Sequence, residues 1–215
     1  MQVKHQARIT WAMAALALAL FLPVFVLKTL GPFDFWWWMA GNASLLMLLV
    51  AWIDADWRRG FLLDASRGLW WKILLGMGSA ALLYAVFWLG NLFSRQLFDF
   101  AGAGIDQVYG LKEGAGVWRM GLLVALIIGP AEELFWRAFL QRRLAEAHGP
   151  WLGLVLATTL YTGMHVASLN PMLVLAAGVC GVFWGLLYWR FRSLWLNVLS
   201  HTLWDLAVFL VFPLV

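Results

Sequence analysis

The sequence predicts an all-α fold, a polytopic membrane helix bundle of about seven transmembrane helices. Three observations predict it. Hydrophobic residues make up 64% of the 215 positions and charged residues only 12%, whereas a soluble domain carries about 25% charged and 45–50% apolar residues. The mean hydropathy is +0.81. Apolar runs near the roughly 20 residues that span the hydrocarbon core as a helix recur at 11–30, 35–53, 69–92, 117–140, 151–168, 172–189 and 194–213. No composition shift or internal repeat marks a boundary, so residues 1–215 read as a single integral membrane domain.

Taken in order, Lys4 and Arg8 precede the first apolar run, Trp11 to Leu27, which is longer than a signal-peptide core and is expected to be a retained helix. Pro23 inside it is tolerable in a membrane helix. Gly31-Pro32 makes the first turn, and Trp36, Trp37 and Trp38 read as an interfacial aromatic belt. The polar stretch Asp54 to Arg67 is expected to be a loop. Phe93 to Gly116 is expected to be a longer one, with Leu97 to Gly104 along the interface. Short turns are expected at His148-Gly149-Pro150, Leu169-Asn170-Pro171 and Arg192-Ser193. Asp34, Asp54, Asp56, Asp64 and Asp99 fall near interfaces and read as solvated groups. Cys180, the single cysteine, reads as a small packing residue.

Cytoplasmic loops collect Lys and Arg. With the N-terminus inside, the inner side gathers Lys4, Arg8, Arg58, Arg59, Arg67, Lys72, Arg137, Arg142, Arg143, Arg190 and Arg192. The outer side gathers Lys28, Arg95, Lys112 and Arg119. The expected orientation is therefore N-terminus cytoplasmic, and a multi-pass chain so short and rich in Trp is expected in a bacterial inner membrane. The net charge of +4 reflects these flanking cations, and nucleic-acid binding has no support.

Against this background the charged residues inside spans stand out, because an ionised side chain at the bilayer centre costs about 2.5 kcal/mol or more. Gly129-Pro130-Ala131-Glu132-Glu133-Leu134-Phe135-Trp136-Arg137 places three charges in six residues. Glu133 and Arg137 are four apart, acid first, the order that pairs best. Glu132 is rotated by about 100° and is free to face something else. Tyr161 and His165 share a face in the fifth apolar segment; Asn197, His201 and Asp205 form a polar stripe along the last. At 1.5 Å per residue, Glu132, His165 and His201 lie about 15, 21 and 14 Å from the boundary marked by Arg142, Trp151 and Arg192. They are expected to converge in one pocket below the inner surface. A carboxylate and a neutral imidazole meeting at a water make a general base for hydrolysis, and a donor on another helix can stabilise an oxyanion. Glu132 would be the base, Glu133 structural.

Glu132-Glu133-x-x-x-Arg137, Tyr161-x-x-x-His165 and His201-x-x-x-Asp205, in that order on three helices, resemble the signature of the CAAX-protease and bacteriocin-processing (CPBP, or Abi) family of intramembrane proteases. The resemblance covers about 117–213, the expected catalytic half. It implies an intramembrane endopeptidase, best known for CAAX processing of prenylated proteins. Glu132 and His165 would activate water, His201 and Asp205 would form the oxyanion site, and Glu133 and Arg137 would support the geometry. The implied partners are the lipid bilayer and a membrane-anchored protein or peptide substrate. Tyr161 stands where the family usually has Phe, and Asp205 where the prenyl-protein protease has Asn. An ionised Asp would repel an oxyanion, so Asp205 is either protonated or orients His201, as a carboxylate orients the imidazole of a serine-protease triad. Glu, His and His are acceptable zinc ligands. The sequence thus admits zinc, although a cofactor-free route is favoured. The alternatives are a catalytically silent membrane protein, such as a bacteriocin-immunity or scaffold factor, and a proton-linked carrier.

Overall fold

The computed structural model describes residues 2–66 and 68–214. Arg67 and the side chain of Lys4, both counted above among the inner cations, lie outside the described residues. The described chain is an all-helical bundle. Helix α1 (Gln2–Leu27) and α2 (Phe35–Ile53) form a hairpin, with Gly31 at φ +58 in its turn. α3 (Ala55–Ser66), α4 (Leu69–Leu97) and α5 (Ala101–Gly110) follow. Residues 117–148 run as one helical rod of alternating pitch: α6 (Val117–Leu123), a π segment (Val124–Ile128), α7 (Gly129–Glu133), a second π segment (Leu134–Gln141) and α8 (Arg142–His148). α9 (Pro150–His165), α10 (Pro171–Phe191) and α11 (Leu194–Leu206), which continues as a π turn, complete the bundle.

Five helices are long and apolar enough to cross a membrane by length and composition: His5–Leu27, Phe35–Ile53, Leu69–Leu97, Pro171–Phe191 and Leu194–Val211. The other two expected spans fall short for identifiable reasons. The 117–148 rod carries Arg119, Glu132, Glu133 and Arg137 and is divided by π segments, and α9 has only 16 residues.

Both expected loops are largely helical. α3 forms because Asp54 caps it, accepting from the Trp57 amide at 2.9 Å, and because its aromatic face packs inward. Trp57 stacks on Phe61, which tilts against Trp195. α4 runs on to Leu97, and α5 sits against the start of α10, where Asn170 Nδ2 donates to Gly104 O at 2.7 Å. Trp36 does not join an interfacial belt. It is buried and donates to Leu111 O at 2.8 Å, while Trp37 stays exposed.

Three of the acids near the interfaces, Asp34, Asp54 and Asp64, are tie points rather than merely solvated groups. Asp54, only 1% exposed, accepts from Arg142 Nη2 at 2.6 Å and Arg143 Nε at 3.0 Å, joining the α2–α3 corner to α8. Asp64 pairs with Lys72 and accepts from Ser193 Oγ and the Trp195 amide, joining α3 to α4 and α11. These contacts gather Arg58, Arg59, Lys72, Arg142, Arg143, Arg190 and Arg192 at one end of the bundle, called here the cationic end. At the distal end Asp34 caps α2 and pairs with Arg119. There the last described residues fold back. The Leu214 amide donates to Tyr109 Oη at 2.8 Å, and Asn91 Nδ2 donates to Leu214 O at 2.9 Å.

Candidate active site

Pro130 shapes the local backbone of the 117–148 rod. It has no N–H to donate and its ring crowds the carbonyl four residues back. The helix widens just before it, so that the Gly129 amide reaches back to Val124 O, five residues away. π turns of this kind concentrate at functional sites. Gly129 also permits close approach of α11: a Cβ there would lie 2.8 Å from Thr202 Oγ1 and 3.2 Å from Val124 O. In the second π segment Leu134 O accepts from Trp57 Nε1 at 3.1 Å, which ties the rod to α3.

Glu133 is the hub. Fully buried, it accepts from Arg137 Nη1 at 2.8 Å, His201 Nδ1 at 2.8 Å and Asn197 Nδ2 at 3.0 Å. Three donors satisfy a buried carboxylate that would otherwise be costly to desolvate. The Arg137 guanidinium lies 4.7 Å from the Tyr161 ring centroid and 5.6 Å from that of Trp184, so two aromatic faces stabilise it. The α7–α11 crossing is therefore fixed by ionic and hydrogen-bonded contacts rather than by apolar packing alone.

Glu132 points away from this network, as its rotation along the helix dictates. Tyr161 Oη donates to Glu132 Oε2 at 3.3 Å, so the hydroxyl that a Phe would lack has a partner. His165 closes α9, and its Nδ1 lies 2.8 Å from Tyr161 O. A carbonyl oxygen can only accept, so Nδ1 carries the proton, and in the neutral ring Nε2 keeps its lone pair. Phe25 of α1 packs on this imidazole at 4.6 Å. His201 stacks on Trp184 at 3.6 Å and 21°, with Nδ1 on Glu133 and Nε2 3.4 Å from Asp205 Oδ2.

Glu132, Tyr161, His165, His201 and Asp205 all line one cavity of about 450 Å3. Glu133 and Arg137 do not line it; they lie behind the wall and hold it. Four carboxyl and imidazole groups from three helices thus share an otherwise apolar chamber, an arrangement suited to moving a proton to and from a reacting group. The three groups converge as the depths along their helices predict, but the chamber does not extend from them toward the cationic end. It occupies the distal half of the bundle. The cationic half is filled by large side chains such as Phe135, Trp136, Phe139 and Leu140, which project from the rod below Glu132.

Residues 114–207 match the family model described as Type II CAAX prenyl endopeptidase Rce1-like. They form a CAAX-protease (CPBP) family domain. No curated protein and no solved structure matches the chain. The CAAX-protease domain contains all six residues singled out in the three motifs, and the family is one of intramembrane endopeptidases. α1 to α5 lie outside the match, yet α1 supplies Phe25 to the site and α4 and α5 supply distal walls of the chamber.

A zinc ion is a poor fit to these side chains. Among the described residues no three His, Cys, Asp or Glu side chains stand close enough to hold a metal, and both nitrogens of His201 face carboxyl groups. Sequence reasoning missed Trp184 and Phe25, the aromatic faces against the two imidazoles. Each sits in an apolar run with nothing local to distinguish it from packing. Asn197 could be read only as part of a polar stripe, and its partners Glu133 and Trp184 O were out of reach.

Proposed function

We propose that this chain is a glutamic-type intramembrane endopeptidase that hydrolyses a peptide bond of a membrane-anchored protein or peptide without a metal. One observation carries the reading: Glu132 and His165 line the same chamber, with His165 Nδ1 held by Tyr161 O so that Nε2 is the nitrogen left for a water. A water between them gives up its proton to this pair as its oxygen attacks the scissile carbonyl. The developing oxyanion takes a hydrogen bond from Nε2–H of the protonated His201, whose charge Glu133 and Asp205 Oδ2, 3.4 Å away, balance, so Asp205 acts through the imidazole rather than facing the oxyanion bare. Collapse of the tetrahedral intermediate returns the first proton to the leaving amine. Glu133, Arg137 and Asn197 hold His201 in place throughout. The apolar walls exclude bulk water, which strengthens each of these interactions.

The experiment compares membranes containing the wild-type protein with membranes containing Glu132→Gln, by quantitative proteomics of new N- and C-termini. General acid–base groups contribute about 10²–10⁴-fold, so termini generated by the wild type are expected to fall by at least about 100-fold with Glu132→Gln, at unchanged expression. Equal cleavage by both proteins would overturn the reading. No wild-type-dependent termini at all would favour the catalytically silent alternative.

A further inference from the structure

The chamber has a floor and an open direction, and the two ends of the bundle differ in charge. The floor is Glu132, Tyr161, Trp184 and His201. From it, every helix that contributes to the lining does so only toward the distal end: α2 at Phe35, α4 at Asn91, α5 at Val108, α10 at Met172 and α11 onward to Phe209. No residue of α3, of α8 or of the Arg192–Ser193 turn takes part. The route toward the cationic end is closed by buried Phe139, Leu140 and Leu144, by Gln141 Nε2 donating to Gly185 O, and by Asp54 clamped between Arg142 and Arg143.

Described cations divide unevenly between the ends. Arg8, Arg58, Arg59, Lys72, Arg142, Arg143, Arg190 and Arg192 lie at the cationic end; Lys28, Arg95, Lys112 and Arg119 lie at the distal end. Eight against four, in short connections where Lys and Arg govern orientation and acids contribute little, puts the cationic end in the cytoplasm. We propose that the catalytic chamber is reached from the extracytoplasmic side, so that the substrate is a membrane-anchored polypeptide whose scissile bond lies in the outer half of the bilayer or just beyond it. This rests on the endopeptidase reading for its substrate but not for its topology.

The test labels single cysteines with a membrane-impermeant maleimide in a Cys180→Ala background. Gly116→Cys reports the distal end, where the nearest non-adjacent atom to a new Cβ is 3.8 Å away. Ala147→Cys reports the exposed cationic end, and Val108→Cys the chamber wall. Labelling of 116 and 108 is expected in intact cells, with 147 labelled only after permeabilisation. Labelling of 147 in intact cells, or of 108 only after permeabilisation, overturns the proposal. The unsubstituted protein provides a second measurement. Trypsin added outside intact spheroplasts should cut after Lys112 and spare Arg142 and Arg143; the reverse pattern overturns the proposal. Neither measurement reads activity. A reversed topology would leave the peptidase reading standing, and an active Glu132→Gln protein would leave the topology standing.

Discussion

Glu133→Gln isolates what holds the site together. The substitution keeps size but removes the charge that compensates Arg137, and it turns an all-acceptor group into one with an NH2 facing three donors at 2.8, 2.8 and 3.0 Å. Deleting one partner of a buried ion pair costs about 3–5 kcal/mol. Two contributions soften the loss. The cation–π contacts of Arg137 with Tyr161 and Trp184 persist, worth about 0.5–2 kcal/mol each, and the Gln oxygen still accepts from one donor. The expected loss is about 3 kcal/mol. At about 2–4 °C per kcal/mol for a chain of this size, Tm falls by about 6–12 °C. The 16 tryptophans make intrinsic fluorescence in detergent a direct readout. The cycle is completed with Arg137→Met: the double variant should lose less than the sum of the two single variants, because the orphaned guanidinium is gone. A Glu133→Gln protein melting within about 2 °C of wild type, or strictly additive losses, would refute the hub.

Three further outcomes follow from the same geometry. Tyr161→Phe removes one long hydrogen bond to Glu132 worth about 1 kcal/mol, so cleavage should slow by about fivefold while Tm falls by only about 2–4 °C; an unaffected rate would show that the hydroxyl does not position the acid. Burial pushes the Asp54 carboxyl upward, but the Trp57 amide, Arg142 and Arg143 outweigh it and hold it below the usual aspartate range. Its folded value is the lower one, so its contribution is present above the unfolded value near 4 and is lost as pH falls further. Thermal stability should therefore drop below about pH 4, and Asp54→Asn should flatten that drop. Gly129→Ala forces a methyl against Thr202 and Val124 O, so α7 and α11 separate at a cost of about 1–3 kcal/mol, measurable as a lower Tm with impaired cleavage.

The parts legible in the sequence were those where polarity and hydropathy disagree. Glu132, Glu133, Arg137, His165, His201 and Asp205 were conspicuous because each interrupts an apolar helix, and helical periodicity was enough to separate the directions in which adjacent Glu132 and Glu133 point. α3 was hidden because twelve mixed residues with Gly60 carry no membrane signal. An aspartate cap at Asp54 with Asp56 in the first turn was the available sign. The direction of the chamber could not be read at all. Distances along single helices fix how deep a side chain lies, but not which half of a bundle is packed solid, and that depends on how large side chains such as Phe135, Trp136 and Phe139 are buried once the helices assemble.

The returning tail at Leu214 bears on how the protein should be handled. Its amide and carbonyl are held by Tyr109 and Asn91, and its side chain forms part of the chamber wall. With the distal entry proposed above, anything fused beyond Leu214 would start its path beside the chamber wall and compete with an entering substrate. A label placed ahead of Gln2, across the bundle from that wall, leaves the entrance clear.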